Sequence, residues 1–172
     1  MSTAVCTKDM IAVDQMNFIS GIKHNCPIDN LYIVECMDPK TNELENSYVI
    51  VCLGSKRQAN FFVDNFLSLD TQHVLSTFHN MYKEPDLVSF VFNRNENTLE
   101  IYAAVSLLTP SNRNLSAIGS GFKYATGALE AGADAISALK ITSKYDLMTD
   151  GKYIQYVDLN EYPYKVKTIG NN

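Results

Sequence analysis

The sequence lacks any apolar run long enough to cross a bilayer, and it lacks a run of basic residues. Its longest apolar stretches, 48–53 and 101–108, fall far short of the ~20 residues that a membrane-spanning helix needs. The first residues also lack the basic and then apolar layout of a secretory signal peptide. We therefore expect a cytoplasmic protein with no membrane partner.

Patterns that bind metals, cofactors or nucleic acids are also scarce. The four cysteines show no C-x-x-C spacing, and the three histidines have no second ligand at helical spacing. The segment Gly119-Ser120-Gly121 lacks the third glycine of a dinucleotide-binding loop. A formal net charge of -5 argues against a nucleic-acid partner. We expect reduced cysteines, no metal and no cofactor.

The composition that remains is that of a folded domain. Hydrophobic residues make up 46% of the 172 residues and charged residues 19%, which excludes a disordered chain. No internal linker or repeat interrupts the sequence. We expect one domain over 1–172, in which 160–172 is a polar C-terminal tail.

Strand-like runs and helical periodicity alternate in blocks along the chain. Strands are predicted at 3–7, 10–14, 31–36, 48–53, 87–92, 99–108, 115–118 and 152–159. Two helices are predicted between Lys56 and Pro85, and two more at 122–131 and 133–144.

Turn and capping residues separate these elements. A loop containing Gly21 and Pro27 follows the first hairpin, and 109–114 is predicted to be a polar loop. Asp70-Thr71 and Asp134 are expected to cap helices. Blocks of strands separated by helix pairs favour antiparallel sheets over alternating βαβ units. The predicted fold class is α+β, a four-layer αββα sandwich of two antiparallel sheets between helix layers.

The start of the chain carries a family resemblance. The segment Met1-Ser2-Thr3-Ala4-Val5, leading to 11–14 (IAVD), resembles the N-terminal hairpin of proteasome β-like subunits, which are N-terminal-nucleophile hydrolases. Further segments resemble that family in the same order along the chain: 117–121 (AIGSG), 124–133, 138–141 and 146–151 (DLMTDG). Each is weak alone, but their order strengthens the resemblance, which covers most of the chain.

The resemblance implies a set of catalytic residues. Removal of Met1 would expose Ser2, whose α-amino group, with an unperturbed pKa of about 7.7–8.0, is the general base in this chemistry. The other implied catalytic residues are Asp14, Ser120, Asp146 and Thr149, with the backbone N–H of Gly54 as oxyanion donor. From residue type alone, each also fits an ordinary role: a frayed terminus, a strand-end turn, a cap or a turn glycine.

One departure from the family concerns a lysine near the nucleophile. Family members carry it at the start of the third strand, where it tunes proton transfer. Counting on from Asp14 leads to Asp29-Asn30 instead, and the nearest lysine, Lys23, lies in the preceding loop. Serine in place of threonine also removes the methyl group that restricts the nucleophile's rotamer.

Two functions remain open at this stage. The first is a proteasome-like peptidase or amide hydrolase that acts on peptides or unfolded proteins. The second is a catalytically inactive subunit that serves as a scaffold or binds partners. The resemblance implies a homo-oligomeric ring of about six or seven subunits, and an ATP-dependent unfoldase as a further partner.

Overall fold

The computed structural model describes residues 2–15, 17–19, 22–24, 29–69, 71–111 and 115–170, with the backbone alone at 17–19, 22–24 and 109–111. Met1, Gly21, Pro27 and Asp70, which the sequence analysis singled out, lie outside these described residues. No helix within the described ranges combines the length and the apolar character that spanning a membrane requires.

Twelve strands and four α-helices make up the described chain. The strands are β1 (Thr3–Thr7), β2 (Met10–Asp14), β3 (Asn17–Ile19), β4 (Ile22–His24), β5 (Leu31–Met37), β6 (Leu44–Leu53), β7 (Val88–Asn93), β8 (Thr98–Ala103), β9 (Ser106–Ser111), β10 (Leu115–Gly119), β11 (Tyr153–Asp158) and β12 (Lys167–Gly170). The helices are α1 (Lys56–Asn65), α2 (Gln72–Met81), α3 (Phe122–Glu130) and α4 (Ala135–Thr142), with one 3-10 turn at Phe66–Ser68.

The strands form two five-stranded sheets and a small separate hairpin. The first sheet has the order β10-β1-β2-β11-β12, the second has the order β5-β6-β7-β8-β9, and β3 pairs with β4. Every pairing is antiparallel. The predicted hairpin of β1 and β2 is confirmed.

Apolar side chains form three layers of core. The inner faces of the two sheets enclose one cluster, which includes Val13, Val51 and Phe90. Helices α1 and α2 cover the outer face of the second sheet around Phe62, and α3 and α4 cover the outer face of the first sheet around Leu139. The predicted four-layer αββα sandwich is therefore confirmed.

The predicted helix caps are also found where the described residues include them. The side chain of Thr71 accepts a hydrogen bond from the backbone N–H of Val74, at the start of α2. The side chain of Asp134 accepts one from Ser137 N–H at 2.7 Å, at the start of α4. Each side chain satisfies a donor that the first helical turn leaves without an intrahelical partner.

Several predicted boundaries are wrong. The run 99–108 is two strands, β8 and β9, because the chain turns at Ala104, whose φ is +54°. The polar loop predicted at 109–114 begins as the end of β9, which pairs with β8. The loop expected after the first hairpin contains β3 and β4. Within 160–172, the expected polar tail, β12 adds an edge strand to the first sheet by pairing with β11.

Candidate active site

Ser2 lies immediately before β1 and is 5% exposed. Its backbone carbonyl accepts a hydrogen bond from Ser120 N–H at 3.3 Å, just beyond the pairing of Thr3 with Gly119. A Cβ atom at Gly119 would lie 2.0 Å from the Ser2 carbonyl oxygen, and Gly119 has φ +100°. Because Gly119 has no side chain, the end of β10 can approach Ser2 closely. The hydrogen bond from Ser120 N–H then holds the Ser2 carbonyl in place.

Asp14 ends β2 and is completely buried. One carboxylate oxygen, Oδ1, accepts the backbone N–H of Thr3 at 2.5 Å, and the other, Oδ2, accepts the backbone N–H of Asp150 at 2.9 Å. These charge-assisted hydrogen bonds tie the start of β1 to the loop that follows α4. Asp14 thus fixes the backbone directly after Ser2.

A chain of hydroxyl groups continues from Thr3. Its Oγ1 accepts Gly121 N–H at 2.9 Å and lies 2.6 Å from Oγ1 of Thr149. The Thr149 hydroxyl donates to Oδ2 of Asp146 at 2.6 Å, and a carboxylate can only accept. Because Thr149 has a single hydroxyl proton, the Thr3 hydroxyl must be the donor to Thr149.

Asp146 accepts the last hydrogen bond of this series of hydroxyl groups. Its Oδ2 also accepts the Ser120 hydroxyl at 2.7 Å, and its Oδ1 accepts the backbone N–H of Met148 at 3.2 Å. Desolvation by burial raises the pKa of the carboxyl group, but the hydrogen bonds from Thr149, Ser120 and Met148 outweigh it and hold the pKa below its usual value. Asp146 therefore stays ionised at neutral pH.

Asn30 lies immediately before β5, near the position where the family resemblance leads one to expect a lysine. The side-chain nitrogen Nδ2 lies 3.5 Å from Oγ of Ser2 and donates to the backbone carbonyl of Asp14 at 3.1 Å. The Asn30 side chain is 5% exposed. A neutral amide therefore contacts the candidate nucleophile in place of a cation.

Gly54 follows β6 and begins the turn into α1 with φ +125°. A Cβ atom there would lie 2.6 Å from the backbone carbonyl oxygen of Asp86. The close approach of that carbonyl is sufficient to explain why residue 54 is glycine. The role of its N–H as oxyanion donor stays a prediction.

The structure brings the other five predicted residues into one connected network. Contacts run from Ser2 to Ser120 and Asp146, then to Thr149, and through Thr3 to Asp14. Sequence reasoning missed Thr3, although a hydroxyl residue directly after Ser2 was a visible signal. It also assigned no role to Asn30. Within the part of the chain that is described, no three His, Cys, Asp or Glu side chains group closely enough to hold a metal ion.

Several solved structures share this architecture. The Anbu (Gly-1) mutant from Hyphomicrobium sp. strain MC1 superposes with a TM-score of 0.73 at 12% identity, covering 100% of this chain and 88% of that chain. Anbu (ancestral beta-subunit) from Yersinia bercovieri gives 0.68 at 10% identity, covering 99% and 87%. Eukaryotic HslV from Trypanosoma brucei gives 0.59 at 16% identity, covering 98% and 99%.

These similarities confirm the predicted resemblance at the level of the fold. The chain has the proteasome-like fold of N-terminal-nucleophile hydrolases, which Anbu and HslV share. No protein-family model and no curated protein sequence matches the chain. The function has to be argued from the site, since the same fold accommodates different activities.

Proposed function

We propose that the chain is a proteasome-like amide hydrolase whose nucleophile is the hydroxyl group of Ser2. The observation that carries the proposal is the position of Ser2 at the head of β1, joined to the network of Ser120, Asp146 and Thr149. The proposal requires cleavage of the peptide bond between Met1 and Ser2, because an N-terminal nucleophile uses its own free α-amino group as base.

In the proposed reaction the Ser2 hydroxyl transfers its proton to the neutral α-amine as Oγ bonds to the substrate carbonyl carbon. The tetrahedral intermediate places negative charge on the former carbonyl oxygen, where the N–H of Gly54 is the proposed donor. The intermediate collapses with cleavage of the C–N bond, and the ammonium group of Ser2 gives its proton to the leaving amine. Water then hydrolyses the ester and restores the Ser2 hydroxyl.

The surrounding residues position Ser2 in this scheme. Asp14 accepts the N–H of Thr3 and Ser120 N–H donates to the Ser2 carbonyl, so the peptide group that follows Ser2 is held at both its N–H and its C=O. Effective catalysis depends on such positioning, because a nucleophile displaced by about 1 Å can lose a hundredfold in rate. The ionised Asp146 keeps the hydroxyl groups of Ser120 and Thr149 oriented.

Assembly and substrates are proposed from the resemblance and the shared fold. We propose a homo-oligomeric ring in the cytoplasm that degrades peptides or unfolded proteins, with an ATP-dependent unfoldase as a partner. The description of the Yersinia bercovieri protein as an ancestral beta-subunit supports a subunit role. Head-to-tail association between identical subunits gives such a ring when the rotation between neighbours closes.

A second candidate function is supported by Asn30. Because the amide of Asn30 contacts Ser2 where the family has a lysine, the chain also suits a catalytically inactive subunit that keeps the fold for scaffolding or partner binding. An amide carries no charge, so it cannot favour the alkoxide form of Ser2 as strongly as an ammonium group would.

Labelling with a β-lactone, which acylates N-terminal nucleophiles, tests the proposed hydrolase. We expect the intact mass of the purified protein to show loss of Met1, and then a single adduct after incubation with the lactone. Ser2→Ala should lose Met1 and take no adduct, while Ser2→Thr should keep the adduct because it retains the hydroxyl. A wild-type chain with a free Ser2 that stays unlabelled would support the inactive subunit instead.

A further inference from the structure

The residue immediately before β5 has a side chain that contacts the reacting atom of the proposed site. Asn30 Nδ2 lies 3.5 Å from Ser2 Oγ, which is long for a hydrogen bond in the resting state. Hydrogen bonds at catalytic groups commonly shorten only when substrate binds. The contact therefore places a donor beside the oxygen on which the reaction depends.

The identity of the atom that faces Ser2 follows from the neighbouring contact. The same nitrogen lies 3.1 Å from the backbone carbonyl oxygen of Asp14, which can only accept a hydrogen bond. If the amide were flipped, two oxygen acceptors would face each other at this distance. The NH₂ group of Asn30 consequently points toward both Asp14 and Ser2.

The backbone of Asn30 is also held by hydrogen bonds. Its N–H donates to Oε1 of Gln155 at 3.0 Å, and its carbonyl accepts from Cys52 N–H at 2.9 Å. Gln155 Nε2 in turn donates to Oδ1 of Asp29 at 2.7 Å. Bonds to β6 and β11 thus hold the amide beside Ser2 without help from substrate, which is what a preorganised donor requires.

We infer that Asn30 is a neutral hydrogen-bond donor to Ser2 Oγ during acyl transfer, an assignment that rests on the proposed hydrolase function. Negative charge develops on Oγ as its proton leaves, and the Asn30 N–H group stabilises that charge. The amide takes up no proton at neutral pH. The α-amine of Ser2 is then the only base in the step, and its ionisation sets the acidic limb of the pH–rate profile.

The experiment compares wild type with Asn30→Asp and Asn30→Ala by measuring the rate of lactone labelling between pH 5 and 10. The aspartate variant is matched in shape to wild type, because its side chain has the same size; it lacks the N–H donor and adds a negative charge.

The other charged groups near this site are unchanged in the variants. They are Asp14 from β2, Asp146 and Asp150 from the loop after α4, Asp29 before β5, and Lys56 from α1.

We expect Asn30→Ala to label about tenfold more slowly or worse at its plateau, because the donor to a developing charge is lost. Asn30→Asp should also be slow, and its acidic limb should move about one pH unit higher because a carboxylate stabilises the ammonium form of Ser2. Circular dichroism and thermal unfolding must show that each variant is folded. A purely structural role for Asn30 would leave the plateau labelling rate of the folded alanine variant equal to that of wild type.

The outcomes separate the inference from the function on which it rests. If wild type labels at Ser2 and the folded Asn30 variants match its rate and pH midpoint, the assignment of Asn30 is wrong and the hydrolase function stands. If wild type with a free Ser2 does not label, both are wrong. Slower labelling together with the shifted midpoint of Asn30→Asp supports the assignment.

Discussion

At the scale of single residues, the site is built from hydrogen bonds that end on two carboxylates. Asp14 accepts two backbone N–H groups, while Asp146 accepts two hydroxyl groups and one backbone N–H. Desolvation raises the pKa of Asp146, but these hydrogen bonds outweigh it and hold the pKa below its usual value. Protonation of this carboxylate at acidic pH would therefore weaken the hydrogen bonds that end on it.

Replacing Asp146 by Asn should reduce the dependence of stability on acidic pH. The folded-state pKa of Asp146 lies below its unfolded value of about 3.9, so its contribution is present above pH ~4 and is lost as pH falls through the folded pKa. Wild type should be more stable than Asp146→Asn at pH 7, and the two should converge toward pH 2.5.

Thermal unfolding midpoints measured from pH 7 to pH 2.5 check this expectation. Asp64→Asn removes an exposed carboxylate from α1 and controls for the change in net charge. Parallel curves for wild type and Asp146→Asn over the whole range would show that Asp146 is not the group responsible.

Some residues of the site could be predicted from the sequence, whereas others are recognised only from contacts in the folded structure. The sequence resemblance singled out these carboxylates and hydroxyls, and the structure does bring Ser2, Asp14 and Thr149 into one network. The bond between Thr3 and Thr149 joins residues 146 positions apart, and no local pattern predicts it. Asn30 had no assigned role, because its contact with Ser2 exists only once β5 lies beside β1 and β2. The roles in catalysis stay predictions.

At the scale of elements, two glycines in neighbouring segments have opposite requirements. Gly119 ends β10 with φ +100°, and an added Cβ would lie 2.0 Å from the Ser2 carbonyl oxygen. Gly127 lies inside α3, and no atom outside its own helix backbone and chain neighbours comes within 4 Å of an added Cβ. Gly119 therefore requires glycine. Gly127 does not, and glycine there only destabilises the helix through its greater conformational entropy in the unfolded state.

Alanine substitutions should change stability in opposite directions. Gly127→Ala should raise the free energy of unfolding by about 1 kcal/mol, because alanine favours the helix. Gly119→Ala should lower it by more than ~2 kcal/mol, because it combines backbone strain with a clash at Ser2.

Equilibrium unfolding of wild type and both variants in the same denaturant measures the two changes in the free energy of unfolding. The data are fitted with one common dependence of that free energy on denaturant concentration. Gly127→Ala should also keep the wild-type rate of lactone labelling, whereas any folded Gly119→Ala should label more slowly because Ser2 is displaced. Equal stability of Gly119→Ala and wild type would contradict the close packing of β10 against Ser2.

Element boundaries were predicted less well than element types. Residues 99–108 read as one apolar strand, because the turn at Ala104 has no glycine, asparagine or proline to indicate it. The edge strand β12 lies in a polar segment, and its four residues are partly buried or exposed, so they need no apolar alternation. Hydrophobic periodicity reports burial, so it gave no signal for this poorly buried edge strand, although it did predict the edge strands β5 and β10.

At the scale of the whole molecule, the layers were predictable because burial dictates them. Strands of both sheets have one face on the inner core and the other under a pair of helices, which explains their nearly continuous apolar runs. The fold brings the ends of β2 and β10 and the beginnings of β1 and β5 to one place. The four layers thus place Ser2 at the point where these strand ends meet.

In the proposed mechanism the free α-amine of Ser2 activates the hydroxyl group of the same residue. The most direct test uses two preparations of the same chain, one beginning at Met1 and one beginning at Ser2, each released from a fusion partner by a protease that leaves a defined end. Lactone labelling and intact mass are then measured for both. We expect one adduct per chain for the form that begins at Ser2 and none for the form that keeps Met1. Equal labelling of the two forms, or no labelling of either, would contradict the account.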